Sequence, residues 1–185
     1  MKSALIRAAC LCLLASPAAA KDWRSAYTDV DLAQCTVLST YELGGDYACP
    51  GYKGYPLLIA ESDLRFVVSY GFEARSERAW RQVFPSFNNP GARVEWLLED
   101  HPERGEVLVG TILRFFIAGP DYEAPDHQVL VVTRIEPGAT CQVAHIDALA
   151  NRDANRLARE AASRLIPGFD CKNDPERVGN WSLGD

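Results

Sequence analysis

The residues whose types and spacing are best suited to chemistry are His145-Ile146-Asp147. Residues i and i+2 of a strand point to one face, so this spacing sets a carboxylate beside an imidazole. An aspartate there orients the ring and raises its pKa, as in a general-base pair. Cys141 and Val143 share that face, which is expected to look toward a C-terminal helix, with His145 inward near the helix N-terminus. A core histidine hydrogen-bonded to Asp147 fits the same pattern and is the reading adopted. No G-x-S-x-G surrounds a serine and no H-E-x-x-H binds zinc. His145 and Asp147 therefore stand as catalytic candidates without a nucleophile.

Other polar groups are weaker candidates. His101 and His127 each follow an aspartate, Asp100 and Asp126, but three scattered histidines lack ligand spacing. Asp121, Glu123 and Asp126 crowd one loop without the calcium-loop pattern. No metal and no cofactor is expected. Arg65, Arg114 and Arg134 fall in three strands and Glu95 in a fourth. They could line the sheet face away from the helix and clamp an anion bidentately, or form cross-strand ion pairs on a solvated face. Tyr47, Tyr52 and Tyr55, spaced by glycines, could be binding anchors on a pinned loop or could cap the sheet.

Four cysteines follow the first twenty residues: Cys35, Cys49, Cys141 and Cys171. A strand from Cys141 to about Ala148 rises roughly 23 Å, and a helix from Asn151 to Leu165 returns roughly 21 Å. The two lengths nearly cancel, so Cys171 returns to Cys141, leaving Cys35 for Cys49. Neither C-x-x-C nor zinc-finger spacing occurs, so both pairs read as structural disulfides.

Those elements sit in a chain built for export. Lys2 and Arg7, the apolar run Ala8–Ala15, Pro17 and Ala18-Ala19-Ala20 make a signal peptide cleaved after Ala20. Its apolar run is too short to span a bilayer, and residues 21–185 are expected to form one domain. Losing Lys2 and Arg7 leaves 17 basic against 25 acidic side chains and moves the net charge from −6 to −8. Such a surface argues against nucleic acid and against docking on anionic lipid.

Residues 21–56 are rich in turn residues and read as an irregular cap pinned by the first disulfide. Strands are expected over Leu57–Glu61, Leu64–Tyr70, Arg93–Leu98, Val107–Ile117, Gln128–Ile135 and Thr140–Asp147. A short helix is expected over Glu73–Phe84, stopped by Pro85, and a turn over Asn88-Asn89-Pro90-Gly91. Ala154, Leu157, Ala158, Ala161, Ala162 and Leu165 form the apolar stripe of a final helix, with Asn151 as N-cap and Arg156 and Arg159 on its solvent side. The fold class expected is α+β: a twisted antiparallel meander with a C-terminal helix packed on one face.

The run Cys49-Pro50-Gly51-Tyr52-Lys53-Gly54-Tyr55, with Asp63-Leu64-Arg65 and Ala144-His145-Ile146-Asp147-Ala148, resembles a group of small exported, disulfide-containing proteins of alphaproteobacteria. The resemblance implies a periplasmic location and assigns no activity or functional residue. The function expected is a non-enzymatic periplasmic or secreted domain that binds a protein or cell-envelope component. The alternatives are a hydrolase using His145 and Asp147, or a carrier holding a small anionic ligand against Arg65, Arg114 and Arg134.

Overall fold

The computed structural model describes residues 21–119 and 124–183. The expected signal peptide, and Asp121 and Glu123 of the acidic loop, lie outside the described residues. Ten strands and one helix follow in order: β1 (Arg24–Asp29), β2 (Thr36–Tyr41), β3 (Gly44–Cys49), β4 (Leu57–Ser62), β5 (Arg65–Tyr70), β6 (Asn88–His101), β7 (Gly105–Ile117), β8 (His127–Arg134), β9 (Cys141–Asp147), α1 (Ala154–Leu165) and β10 (Glu176–Arg177). They form a six-stranded sheet in the order β1-β6-β7-β8-β9-β10 and a four-stranded meander β2-β3-β4-β5. Every described pairing is antiparallel except β9 with β10. The class is α+β, as the alternation of apolar residues requires.

The six-stranded sheet is covered on both faces. Ile112, Leu130, Val132, Ala144 and Ile146 pack with Ala154, Ala158, Ala161, Ala162 and Leu165 of α1. Alanines let the helix approach closely, and the sheet answers with Gly110, where a Cβ would lie 2.5 Å from Ile166 Cδ1. On the other face Val94, Trp96, Leu113, Phe115, Val129 and Val131 meet Leu57, Ile59, Phe66, Val68 and Tyr70 of the smaller sheet. The layers therefore run helix, large sheet, small sheet.

Both disulfides pair as expected. Cys35–Cys49 has its Cα atoms 4.3 Å apart and Cys141–Cys171 5.8 Å apart.

Four local expectations change. The N-terminal segment is more regular than its composition suggests, because Gly44 and Gly45 sit inside β3 rather than in a turn. A Cβ on Gly44 would lie within 2 Å of the Glu61 carbonyl oxygen of β4, so the close pairing of β3 with β4 needs glycine there. Asn88-Asn89-Pro90-Gly91 opens β6, with the register broken between Pro90 and Val94. Asn88 is buried, accepting from the Phe66 N–H and donating to the Ser86 carbonyl.

The expected helix over Glu73–Phe84 is two 3-10 turns, Ala74–Ser76 and Arg78–Arg81. Glu77 between them is extended (φ −78°, ψ 153°). Its buried carboxylate accepts from the backbone N–H of Gly138 (2.6 Å) and Thr140 (2.9 Å). Two charge-assisted bonds to another segment outweigh the local helical tendency.

The helix N-cap is Asp153, not Asn151. Asn151 is buried and ties down the chain's end instead. It donates to the Asp147 and Asn180 carbonyls and accepts from the Asn180 N–H.

Candidate functional site

His145 and Asp147 lie on β9 opposite Val131 and Val129, whose side chains join the cluster between the two sheets. The expected face is therefore corrected. The pairing jumps from Val132↔Ala144 to Thr133↔Gln142, leaving Val143 as an extra residue. This bulge lets Val143 and Ala144, adjacent in sequence, both pack on the helix side with Cys141. Gln142 and His145 then share the other side, away from α1.

The two candidate catalytic side chains do not engage each other. His145 Nε2 bonds Gln142 Oε1 at 2.7 Å, and its ring tilts against Phe84 with centroids 5.1 Å apart. The Gln142 amide nitrogen donates to the Gln82 carbonyl (2.7 Å), and the Gln142 N–H donates to Gln82 Oε1 (2.7 Å). That network fixes Gln142 Oε1 as an acceptor, so the proton of neutral His145 sits on Nε2. Burial, helped by the Arg177 charge, pushes the His145 pKa down to about 4.

Asp147 is fully buried and spends its oxygens elsewhere. It accepts from the Leu149 and Ala150 N–H groups and from the Ser182 N–H and hydroxyl. Burial pushes the carboxyl up, but the Ser182 hydroxyl and the three backbone donors outweigh it and hold it below its ordinary value. Its work is to close the turn after β9 and to clasp the C-terminal segment.

The arginines do not form a row. Arg65 bonds the Pro85 carbonyl, pairs with Asp63 and lies over Phe87. Arg114 neighbours Ile112 and Leu130, on the helix side, and donates to Gln128 Oε1 at 2.7 Å. Arg134 pairs with Glu136 and donates to the Phe169 carbonyl. Glu95 is taken by Ser25 and by Arg159 of α1.

The tyrosines are half-buried packing residues. Tyr47, Tyr52 and Tyr55 lie on the core between the sheets, Tyr55 edge-on to Trp96 and Tyr52 bonded to Glu106. Among the described residues, no three histidine, cysteine or acidic side chains lie close enough to hold a metal ion.

Of the expected residues, Arg134 and His145 do meet, in a cleft of about 860 Å³. One wall is the segment of 3-10 turns carrying Arg78, Arg81 and Phe84. The floor is β9 with Gln142 and His145, together with Arg134 at the end of β8 and the turn that follows it. The other wall is the chain after α1, with Asp170, Lys172 and Asp174.

The walls are fixed by the Glu77 clasp and by the Cys141–Cys171 bond. Four cations and two carboxylates line this cleft, in a chain whose net charge is −6. Arg78 is held by Asp174 and the Asn173 carbonyl. Arg81 and Lys172, both exposed, have no side-chain partner among the described residues. The arrangement offers two unpaired cations across an opening, with aromatic and amide surface beneath.

Sequence reasoning missed Arg78, Arg81 and Lys172. A signal existed for Lys172, since the deduced Cys141–Cys171 bond and the β8–β9 hairpin already place it near Arg134. None existed for Arg78 and Arg81, whose position depends on the Glu77 clasp. No protein-family model, curated protein or solved structure matches the chain.

Proposed function

We propose that this protein is a non-enzymatic domain of the periplasm or the secreted space that binds an anionic group in the cleft. The group is either free, as a small phosphate or carboxylate compound, or displayed by an envelope component. The observation that carries this reading is the reversal of charge. An acidic chain gathers Arg78, Arg81, Arg134 and Lys172 around one concavity and, among the described residues, leaves Arg81 and Lys172 unpaired. A cationic cleft on an acidic surface concentrates anions where they can be held. Disulfide pairs closing loops of 14 and 30 residues are consistent with an oxidising compartment. Against the hydrolase reading weighs the separation of partners: His145 bonds Gln142, and Asp147 bonds Ser182 and the backbone.

The test is titration of residues 21–185, by calorimetry and by NMR shifts, with inorganic phosphate, succinate and vesicles of anionic lipid. Saturable binding to either small anion supports a free ligand, and binding to vesicles alone supports a displayed one. Arg81→Glu with Lys172→Glu should abolish both. Absence of binding, or binding that survives the double variant, overturns the proposal.

A further inference from the structure

β2 is the outer strand of the four-stranded sheet and, among the described residues, pairs along one side only, with β3. All six of its residues, Thr36-Val37-Leu38-Ser39-Thr40-Tyr41, are exposed. None is charged and none is proline. Outer strands are normally blunted by charge, proline, bulges or a covering segment. β2 has one such device, an irregularity at Leu38 between the pairs Val37↔Tyr47 and Ser39↔Asp46. Val37 is 55% exposed, and Leu43 just beyond the strand 60%. The strand is also held in shape at both ends. Cys35–Cys49 fixes its start, and the Tyr41 hydroxyl bonds Asp46 and the Glu61 carbonyl at its finish.

We propose that this edge pairs antiparallel with β2 of a second copy, joining two four-stranded sheets into one of eight strands. The strand's own chemistry selects the partner. A two-fold axis between Leu38 and Ser39 sets Thr36 opposite Tyr41, Val37 opposite Thr40 and Leu38 opposite Ser39. These are aromatic and β-branched pairings of the kind that stabilise a sheet, in a self-complementary contact. Glu42, the first charge past the strand, then falls opposite Cys35 of the other copy, so no like charges face each other along the pair. A foreign strand would instead be drawn by the carboxylates of Asp31 and Glu42 and would have to be basic. Salt separates the two. Self-pairing between two acidic chains tightens as salt screens their repulsion, whereas capture of a basic strand weakens.

Sedimentation velocity on residues 21–185, over a concentration series at low and high salt, tests this. The expected result is a monomer–dimer equilibrium that shifts toward dimer with salt. Val37→Lys and Leu38→Lys should each return the protein to monomer, with unchanged circular dichroism and intact disulfides. Hydrogen exchange at the β2 amides should slow as protein concentration rises. A monomer at every concentration, a dimer indifferent to both lysines, or β2 exchange independent of concentration overturns the proposal.

Discussion

Arg159 of α1 grips Glu95 of β6 with both ends of its guanidinium, Nε to Oε1 at 2.6 Å and a terminal nitrogen to Oε2 at 3.1 Å. Glu95 is nearly buried, and Ser25 supplies its remaining donor at 2.6 Å. The helix face expected to be solvent therefore holds a strut between two layers. Arg159→Glu should cost roughly 2–4 kcal/mol, because it leaves a buried carboxylate facing another. Arg156→Glu should change stability by less than about 0.5 kcal/mol, since Arg156 pairs among the described residues only with exposed Asp153 and Glu160. Urea denaturation of both variants checks this, and equal midpoints would contradict it.

Ala158 and Ala161 are buried where α1 meets the sheet. Ala158→Glu or Ala161→Glu should destabilise by several kcal/mol, because a charge would be forced into a contact with no room and no partner. Thermal melts beside Arg156→Glu give the comparison.

Stability should fall as pH drops from about 6.5 to about 4. The folded protein keeps His145 neutral down to about 4, whereas the unfolded chain titrates at 6.5. Between these values the unfolded chain binds the extra proton, which disfavours folding as pH falls. His145→Gln removes the titration, so the wild type should lose on the order of 1–3 kcal/mol relative to the variant across that window. Below it, Asp147 acts with the usual carboxylate sign. Its folded pKa is lowered, so its contribution is present above 3.8 and lost as pH falls further. Denaturation midpoints of wild type and variant at pH 7, 5.5 and 4.5 test the first window, and parallel curves there would refute it.

Asp147→Asn should loosen the chain's end before the core. It replaces one acceptor oxygen by a donor and leaves a Ser182 or turn N–H group without its partner, at a cost of about 1–3 kcal/mol. Hydrogen exchange should rise first over residues 178–183, with β6 to β8 little changed. Uniform acceleration would show that the clasp carries the whole domain.

The layout was legible where the pattern was long or covalent. Six strands from Leu57 onward, the alanine stripe of α1 and both disulfides follow from periodicity, reach and parity. The misplaced features share a cause, since each depends on a tertiary contact with no local trace. Glu77 breaks a helical run by bonding a turn about sixty residues away. One extra residue at Val143 moves His145 to the opposite face from Cys141. Gly44 and Gly45 look like a turn, but a Cβ on Gly44 would run into the Glu61 carbonyl of β4 and one on Gly45 into the Ser39 carbonyl of β2. Arg81 and Lys172 look like ordinary surface cations until the clasp and the disulfide bring their segments to face each other.

The wall bearing Lys172 is fastened to the floor bearing His145 through the bond between Cys141 and Cys171. If the cleft takes an anion as proposed, its occupancy and the oxidation of that thiol pair are thermodynamically linked. Whatever factor the closed bond adds to affinity, a bound anion must return to the stability of the bond. A reducing agent that opened this bond would then act as an antagonist of the anion, and a saturating anion would make Cys141–Cys171 harder to reduce than it is in the empty protein, leaving Cys35–Cys49 unchanged.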